Sequence, residues 1–454
     1  MSNTLLPLLL ASFLPGGFDQ GAETLVYRGK LVHVTRSADP EPVRQFELFC
    51  LLSHSENDSH RLGFLIDERG NGGGWPWPER FGSIDFDQHL QPAGNKRIRL
   101  LHDFKDSRYP IEIRLPVFEK RGTIAVGDKW VVGKREYEVV GEKNVGDYRC
   151  WKIDVSTNFG HVQTLWVDQQ KPLLVKVEQK VTIGQGDEFQ LNFRLDAAST
   201  LTPEEFEAIE APLAALLDLQ SKLRRGENNT RPELSSEQIE LANGAIEALS
   251  ERATSTPFEK FVATAARDIK AQMQRGDDLA SLAKKQLGRE LPKFELKSLA
   301  GKPVTSAELK GKVTVFHFWR YRDKPLAEPY GQIGYLDFLF GKRGKLGLAV
   351  FGIAVDERFA DVANAPAAKR SARKLKEFMN LSYPVAFDSG ALLRKLGDPR
   401  RLGTKLPLWV VVDSDGKIAH YHAGLYDVRA DEGLSELDDV VVELLRARQA
   451  SKSK

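Results

Sequence analysis

The chain contains only two cysteines, Cys50 and Cys150, among its 454 residues. So few cysteines exclude a disulfide-rich scaffold and a cysteine zinc cluster. Every position after 150 lacks a thiol. Whatever folds from the rest of the chain therefore has no thiol chemistry of its own.

The length favours about three domains, at the usual ~150 residues for each. Apolar residues make up 41% and charged residues 28%, which is typical of a globular protein and too polar for a multi-span membrane protein. Lys and Arg total 65 against 63 Asp and Glu, a net charge of +2. Such a balance gives no sign of a nucleic-acid partner.

A short apolar run, Leu5–Leu14, opens the chain. It is too short to span a bilayer, which takes ~20 apolar residues, but it has the length of a signal-peptide core. We therefore expect a signal peptide over residues 1–22 and export to the periplasm or cell envelope. The alternative is a frayed leader or a misplaced start codon, because Ser2, Asn3 and Thr4 add no positive charge. No later segment has transmembrane length.

Residues 23–200 are predicted to form an antiparallel β-rich domain. Short runs of β-branched and aromatic residues, such as Phe46–Leu52, alternate with turn residues. In Cys150–Val155 apolar and polar residues alternate, which predicts a sheet with one wet face. The same alternation puts Cys150 on the wetter face.

Residues 201–290 are predicted to be a helical connector with a net charge of −4. Three residue pairs have the spacing of a helix-starting capping box. These pairs are Thr202 with Glu205, Ser235 with Gln238, and Thr256 with Glu259. A further short helix is expected to start near Asp277 and end before Gly288.

Residues 291–454 alternate strands and helices and carry a net charge of +8. Apolar strands are predicted at 313–319, 348–355 and 408–412. Asp415-Gly416 is a strong hairpin signal that pairs the last of these with Lys417–His422. The fold class predicted for the whole chain is thus multidomain α+β, with a β-rich domain, a helical connector and a C-terminal α/β domain.

Five segments of this last region follow one another in a characteristic order and spacing. They are the strand that begins at Gly288, the run Leu309–Trp319, the strand Phe351–Asp356, the segment Tyr383–Asp388, and Gly403–Pro407 with the hairpin after it. Together they resemble the redoxin branch of the thioredoxin superfamily, the exported thiol–disulfide oxidoreductases and their peroxiredoxin relatives. The resemblance covers residues 291–448 and implies a thioredoxin-like fold.

In active members of that family, the strand ending in Phe-Trp leads into a Cys-x-x-Cys motif, whose first thiolate is stabilised by a helix N-terminus. Here Asp323 and Leu326 stand at the two cysteine positions, with Lys324 and Pro325 between them. A carboxylate cannot replace sulfur in disulfide exchange. The resemblance therefore implies a degenerate redox motif, and Asp323 is expected to be a helix cap.

The family's cis-proline loop corresponds to Leu406 and Pro407. If it is retained, it leaves a backbone edge that can hydrogen-bond an extended peptide, so a peptide or protein partner is expected at this domain. Arg320, Arg322 and Lys324 would make the rim positive. The alternative is a solvated basic loop without a partner.

Other candidate sites are weaker. Cys50 and Cys150 are either bridged by a disulfide, as an exported protein allows, or two independent structural thiols. His420 and His422 share one side of a strand but lack a third ligand, so neither a metal nor a cofactor is predicted. The β-rich domain loosely resembles exported domains related to lipoprotein carriers, on the residues around Trp151 and Trp166, which implies an apolar face for a ligand. The alternative is a sheet that packs its own core.

Three functional hypotheses follow. The first is a redox-inactive binding or structural protein that keeps the thioredoxin-like fold. The second is a working thiol–disulfide oxidoreductase or antioxidant that uses Cys50 and Cys150. The third is an apolar-ligand carrier built on the β-rich domain.

Overall fold

The computed structural model describes residues 21–34, 42–54, 59–68, 79–87, 90–104, 107–119, 122–223, 234–321, 332–426, 428 and 433–452. These residues form two compact units. Unit 1 comprises Met1–Arg224 with Glu240–Ile269, and unit 2 comprises Arg225–Ile239 with Lys270–Lys454. The residues predicted as a helical connector do not form a unit of their own, because they divide between these two.

Twelve strands are described in unit 1. They are β1 (Glu23–His33), β2 (Pro42–His54), β3 (His60–Glu68), β4 (Phe81–Phe86), β5 (Ile98–Phe104), β6 (Ser107–Ile113), β7 (Lys129–Val132), β8 (Arg135–Val145), β9 (Tyr148–Thr157), β10 (Gly160–Asp168), β11 (Leu174–Ile183) and β12 (Asp187–Thr200). Ten of them form one antiparallel sheet in the order β4-β3-β2-β1-β12-β11-β10-β9-β8-β7, while β5 and β6 pair separately. The predicted antiparallel β-rich region is confirmed.

One face of the ten-stranded sheet carries the core of unit 1. Alternate residues of β1, including Leu25, Tyr27 and Leu31, are buried on this face. The β5–β6 hairpin covers it with Ile98 and Ile111, which join the same core. In β1 the period of two thus places apolar side chains on this face and Arg28 and Lys30 on the other.

Helices α1 (Pro203–Lys222), α2 (Ser236–Ser250) and α3 (Glu259–Gln286) follow the sheet. The division between the two units falls within α2 and α3. Within unit 1, helical residues pack on the other face of the sheet, where Phe258 contacts Phe49 and Phe261 contacts Phe81 at 5.8 and 5.3 Å between ring centroids. Gly63 leaves room for Leu213, since a Cβ there would lie 2.2 Å from the leucine Cδ2.

Two of the three predicted capping boxes form as expected. Thr202 and Glu205 bond reciprocally at the start of α1, and Ser235 and Gln238 do the same at α2. The third is wrong, because the Glu259 carboxylate accepts the backbone N–H of Ser255 rather than that of Thr256. The helix expected to start near Asp277 is also wrong. It belongs to the long α3, whose end is followed by Gly288 in the left-handed conformation, as predicted.

Unit 2 contains seven more strands and four more helices in the described residues. These are β13 (Glu295–Ser298), β14 (Pro303–Thr305), β15 (Val313–Trp319), α4 (Ile333–Arg343), β16 (Leu348–Val355), α5 (Ala365–Phe378), β17 (Val385–Asp388), α6 (Ala391–Lys395), β18 (Leu408–Val412), β19 (Ile418–Ala423) and α7 (Ser435–Lys452). The sheet order is β14-β13-β17-β16-β15-β18-β19, with β15, β16 and β17 parallel.

Strand β15 lies at the centre of this sheet, and all seven of its residues are buried. A strand covered on both faces is expected to read as a continuous apolar run, as this one does. Helices α4, α5 and α7 pack on one face of the sheet and α6 on the other. The structure confirms a thioredoxin-like α/β sandwich and, with unit 1, the multidomain α+β class.

The predicted hairpin joins β18 and β19. The Asp413 carboxylate accepts the backbone N–H groups of Asp415 and Lys417, each at 2.9 Å, and Gly416 takes the left-handed conformation that the turn requires. No helix in the described residues combines the length and the apolar composition needed to cross a bilayer.

Candidate functional site

The candidate site lies at the edge of the unit 2 sheet where the parallel strands end. Arg320 and Tyr321 follow β15, and Asp356 follows β16, its parallel neighbour. Strand β18 runs antiparallel to β15 with Leu408 opposite Phe318, so the loop that precedes β18 reaches the same edge. Ligands of open α/β sheets bind at this kind of edge.

The loop before β18 holds the predicted Leu406 and Pro407. The peptide bond between them is cis, as expected. The Pro407 carbonyl accepts a hydrogen bond from the Gly424 N–H at 2.8 Å. Among the described residues, the N–H and C=O of Leu406 make no hydrogen bond. Leu406 is therefore a half-buried residue of this loop whose two backbone polar groups are unpaired in the described residues.

An ion-pair network surrounds this edge. Arg400 forms a bidentate pair with Asp398 and also reaches Glu357 at 2.9 Å. Glu357 lies 3.4 Å from Arg320. Burial opposes the ionisation of Asp398, but the hydrogen bonds from Arg400 outweigh it and hold the pKa of that carboxyl below its usual value. The network is thus charged and locally balanced.

The expected positive rim is accordingly wrong at Arg320, whose charge faces the carboxylate of Glu357. The other two rim residues, Arg322 and Lys324, lie outside the described residues. At Arg320 this edge therefore carries a paired rather than a free positive charge.

A repeated local pattern builds the network, and sequence reasoning missed it. In Asp356-Glu357-Arg358 and in Asp398-Pro399-Arg400, the aspartate accepts both the backbone N–H and the guanidinium of the arginine two residues later. Asp-x-Arg was therefore the available signal. The ion pair between Arg400 and Glu357 joins segments more than 40 residues apart, so no local sequence pattern indicates it.

Aromatic side chains stack on one another next to the loop that precedes β18. Trp409 stacks on His317 at 3.8 Å between ring centroids and donates its Nε1–H to the Gly424 carbonyl. Tyr426 contacts Trp409 edge-to-face. Buried Gln332 bonds both backbone groups of Tyr426, at 2.6 and 2.9 Å. These contacts fix the base of the loop, and sequence reasoning missed Gln332 and Tyr426 because their partners are far apart in the chain.

His420 and His422 lie on the same side of β19, with nearly parallel rings 6.3 Å apart. His420 Nε2 is 2.7 Å from the Tyr426 hydroxyl, and His422 stacks on the Tyr426 ring. Burial lowers the pKa of His420 and favours its neutral form. Within the described ranges, no group of three or more His, Cys, Asp or Glu residues is placed to hold a metal ion.

The predicted degenerate motif, Asp323, Lys324, Pro325 and Leu326, lies outside the described residues. The next described helix, α4, begins at Ile333 after Gln332, which has a left-handed backbone. The expectation that Asp323 caps a helix stays a prediction. What the sequence states directly is that no cysteine occurs after position 150.

Both cysteines lie in unit 1 as free, fully buried thiols. The structure therefore has no disulfide between Cys50 and Cys150, and it matches the alternative of two independent structural thiols. Burial raises the pKa of Cys150 to about 12 and that of Cys50 still further. The expected wet-face position of Cys150 is wrong. It joins the core with Ile153, and the alternation breaks between them, next to a register shift in the neighbouring strand β8.

Comparisons with known proteins concern unit 2. The model of the AhpC/TSA family matches residues 287–421. A thiol-disulfide oxidoreductase ResA from Bacillus thuringiensis (strain Al Hakam) is 30% identical over 148 residues, which cover 32% of this chain and 74% of the relative. The protein of the same name from Bacillus anthracis is likewise 30% identical over 148 residues, or 32% and 74% of the two chains. A thioredoxin-family thiol:disulfide interchange protein from Chlorobium tepidum is a structural neighbour with 22% identity, covering 35% of this chain and 97% of its own, at a TM-score of 0.28.

Proposed function

The chain belongs to the thioredoxin-like redoxin family, and from that premise we propose that it is a redox-inactive member in which the domain binds an extended peptide segment of a partner. The observation that carries the proposal is the absence of any cysteine from the region that matches the family, residues 287–421. By resemblance, Asp323 and Leu326 occupy the two cysteine positions. Thiol–disulfide exchange needs a thiolate as the attacking group, and neither side chain supplies one.

The binding role rests on the loop before β18. The free N–H and C=O of Leu406 offer the pair of hydrogen bonds by which an extended peptide adds to a sheet edge. The network of Arg400, Glu357 and Arg320 lines the same edge with paired charges. A peptide held there gains its affinity mainly from backbone hydrogen bonds.

The alternative of an active oxidoreductase using Cys50 and Cys150 is disfavoured by the environment of those thiols. Both are buried with raised pKa values, whereas reactive cysteines are exposed and have lowered ones. The carrier alternative is disfavoured because the chain's own β5–β6 hairpin, with Ile98 and Ile111, covers the apolar face of the sheet.

Binding is tested with full-length protein and reduced, carboxymethylated α-lactalbumin, an unfolded chain without thiols, as the probe. Leu406→Pro removes the N–H and keeps an apolar side chain, so it should weaken binding about tenfold, the effect of one or two backbone hydrogen bonds. Lys405→Ala is the matched control on the same loop and should change affinity less than about twofold. Equal binding by wild type and Leu406→Pro, or no binding at all, would refute the peptide site.

Export to the periplasm or cell envelope is part of the same proposal and rests on the apolar run Leu5–Leu14. When the chain is expressed with its first residues intact, N-terminal sequencing of the mature protein should begin near residue 23. A mature product that still starts at Met1 and stays with the cytoplasmic fraction would contradict export.

A further inference from the structure

A row of positive side chains crosses three neighbouring strands of the unit 1 sheet. Arg28 on β1 lies directly opposite Arg194 on β12, and Arg194 lies directly opposite Lys176 on β11. Lys30 is two residues from Arg28 and so projects from the same face. Glu47 of β2 ends the row beside Arg28. Like charges directly opposite one another destabilise a sheet, so three cations in register require compensation.

Carboxylates compensate the two ends of the row. Arg28 pairs with Glu47 at 3.3 Å and with Asp196 at 3.2 Å. Lys176 pairs with Glu178 at 2.8 Å, and its ammonium lies 4.3 Å from the centre of the Trp166 ring. Each of these cations therefore has an anionic partner within the sheet.

The middle of the row is uncompensated. Arg194 and Lys30 have no ion pair or hydrogen bond from their side chains among the described residues. Arg194 is also flanked by a cation on both neighbouring strands. The centre of the row thus carries positive charge that the described part of the protein does not neutralise.

A cavity of about 470 Å³ opens at this place. Arg28, Lys30, Lys176 and Arg194 all line it, together with the single carboxylate of Glu178. Gln45 and Asn192 add amide groups. Of the four cations, Arg194 and Lys30 lack an anionic partner in the described residues, and two such charges at a cavity of this size suit a small anion with several acceptor oxygens.

We propose that this cavity binds a phosphate group, either free or as a monoester. A phosphate dianion balances the unpaired charges of Arg194 and Lys30, and its three oxygens match the forked guanidinium of Arg194 and the point charge of Lys30. Bound there, it removes the like-charge contact across β1, β12 and β11. The site is separate from the edge of unit 2 described above and does not depend on its function.

The test uses calorimetric titration of the full-length protein at low ionic strength with inorganic phosphate, glycerol 3-phosphate, or glycerol as the uncharged control. Binding of both phosphates and not of glycerol is expected, weakening as salt is added. Tighter binding of glycerol 3-phosphate than of inorganic phosphate would assign the site to a monoester or a lipid headgroup, and the reverse to the free ion. No binding of either phosphate would overturn the proposal.

Arg194→Gln should weaken phosphate binding at least tenfold. Arg61→Gln removes an equal charge from another exposed arginine of the same sheet, one already paired with Asp85, and should leave the affinity within twofold. Without phosphate, Arg194→Gln should melt no lower than wild type, because it removes a like-charge contact. Phosphate should raise the melting temperature of wild type and not of Arg194→Gln. Equal affinity in Arg194→Gln and wild type would overturn the proposal.

Discussion

Cys50 and Cys150 lie in the antiparallel sheet of unit 1, whereas the family match lies in unit 2 and contains no cysteine. In unit 1 the thiols sit in an apolar core, where burial opposes the charged thiolate. In unit 2, the residues that match the AhpC/TSA family contain no cysteine, and the resemblance predicts Asp323 and Leu326 at the two cysteine positions. Sulfur and the fold that activates it are thus found in different parts of the chain.

The comparison teaches that a cysteine and a redoxin fold in one chain do not amount to a redox site. Reactivity depends on the surroundings of the sulfur, because only the thiolate attacks a disulfide. A helix N-terminus stabilises the thiolate and a sheet core destabilises it. The burial of both cysteines is what sets them apart from the exposed, low-pKa thiols of redox sites.

The prediction with the largest expected effect concerns the reactivity of the two thiols in the native protein. With a pKa of about 12 for Cys150, raised from 9.0, the thiolate fraction at pH 8 is about a thousandfold below that of an exposed thiol. Labelling of the native protein with a thiol reagent should therefore be slower than labelling of the urea-unfolded chain by about that factor. Insulin reduction should stay at the background rate.

The Cys50→Ser/Cys150→Ser variant serves as the control for insulin reduction and should match wild type. Fast labelling of the native protein, with reductase activity that this double variant loses, would restore the oxidoreductase hypothesis.

The raised pKa values of the two thiols also predict how the stability of the fold changes with pH. The burial of neutral thiols stabilises the fold fully below pH 9.0, and this contribution is lost as the pH rises towards the folded-state values.

Several local signals in the sequence predicted the structure correctly. The central strand β15 has the predicted bounds, and the Asp415-Gly416 hairpin forms where expected. The capping boxes at Thr202 and Ser235 form between residues within one helical turn, whereas the same spacing at Thr256 does not produce one.

Features that depend on distant pairing could not be predicted. The cation row needs the register of β1, β11 and β12, which brings Arg28 and Arg194 together across more than 160 residues. The burial of Cys150 depends on strand pairing that the simple alternation of its own strand did not reveal. The length of α3 was not predicted, because Gly276 and Asp277 resemble a helix boundary, whereas in the structure they lie inside a long helix.

A smaller effect is expected from two ion pairs, one in each unit, that differ in their exposure to solvent. In unit 2, the Asp438 carboxylate on α7 accepts hydrogen bonds from two guanidinium nitrogens of Arg343, at 2.8 and 2.9 Å. The Asp438 side chain is 15% exposed and that of Arg343 is 22% exposed. In unit 1, one carboxylate oxygen of Glu142 accepts two hydrogen bonds from Arg149, and the arginine is 70% exposed. Because solvent screens the more exposed pair, the two ion pairs should have different consequences for stability.

Asp438→Asn should lower the unfolding free energy of unit 2 by about 1–2 kcal/mol, since it leaves Arg343 without its carboxylate. Glu142→Gln, the matched control, should have no detectable effect. Hydrogen exchange of α7 peptides and of β8–β9 peptides reports each change in its own unit.

Hydrogen bonds from Arg343 lower the pKa of Asp438 against the opposing effect of burial. Its stabilising contribution is therefore complete above the ordinary value of 3.8 and is lost as the pH falls through the lowered pKa, so Asp438→Asn and wild type should converge in acid. Equal losses in the two variants would mean that the exposed and the buried pair are equivalent, and burial would not be what separates the two units.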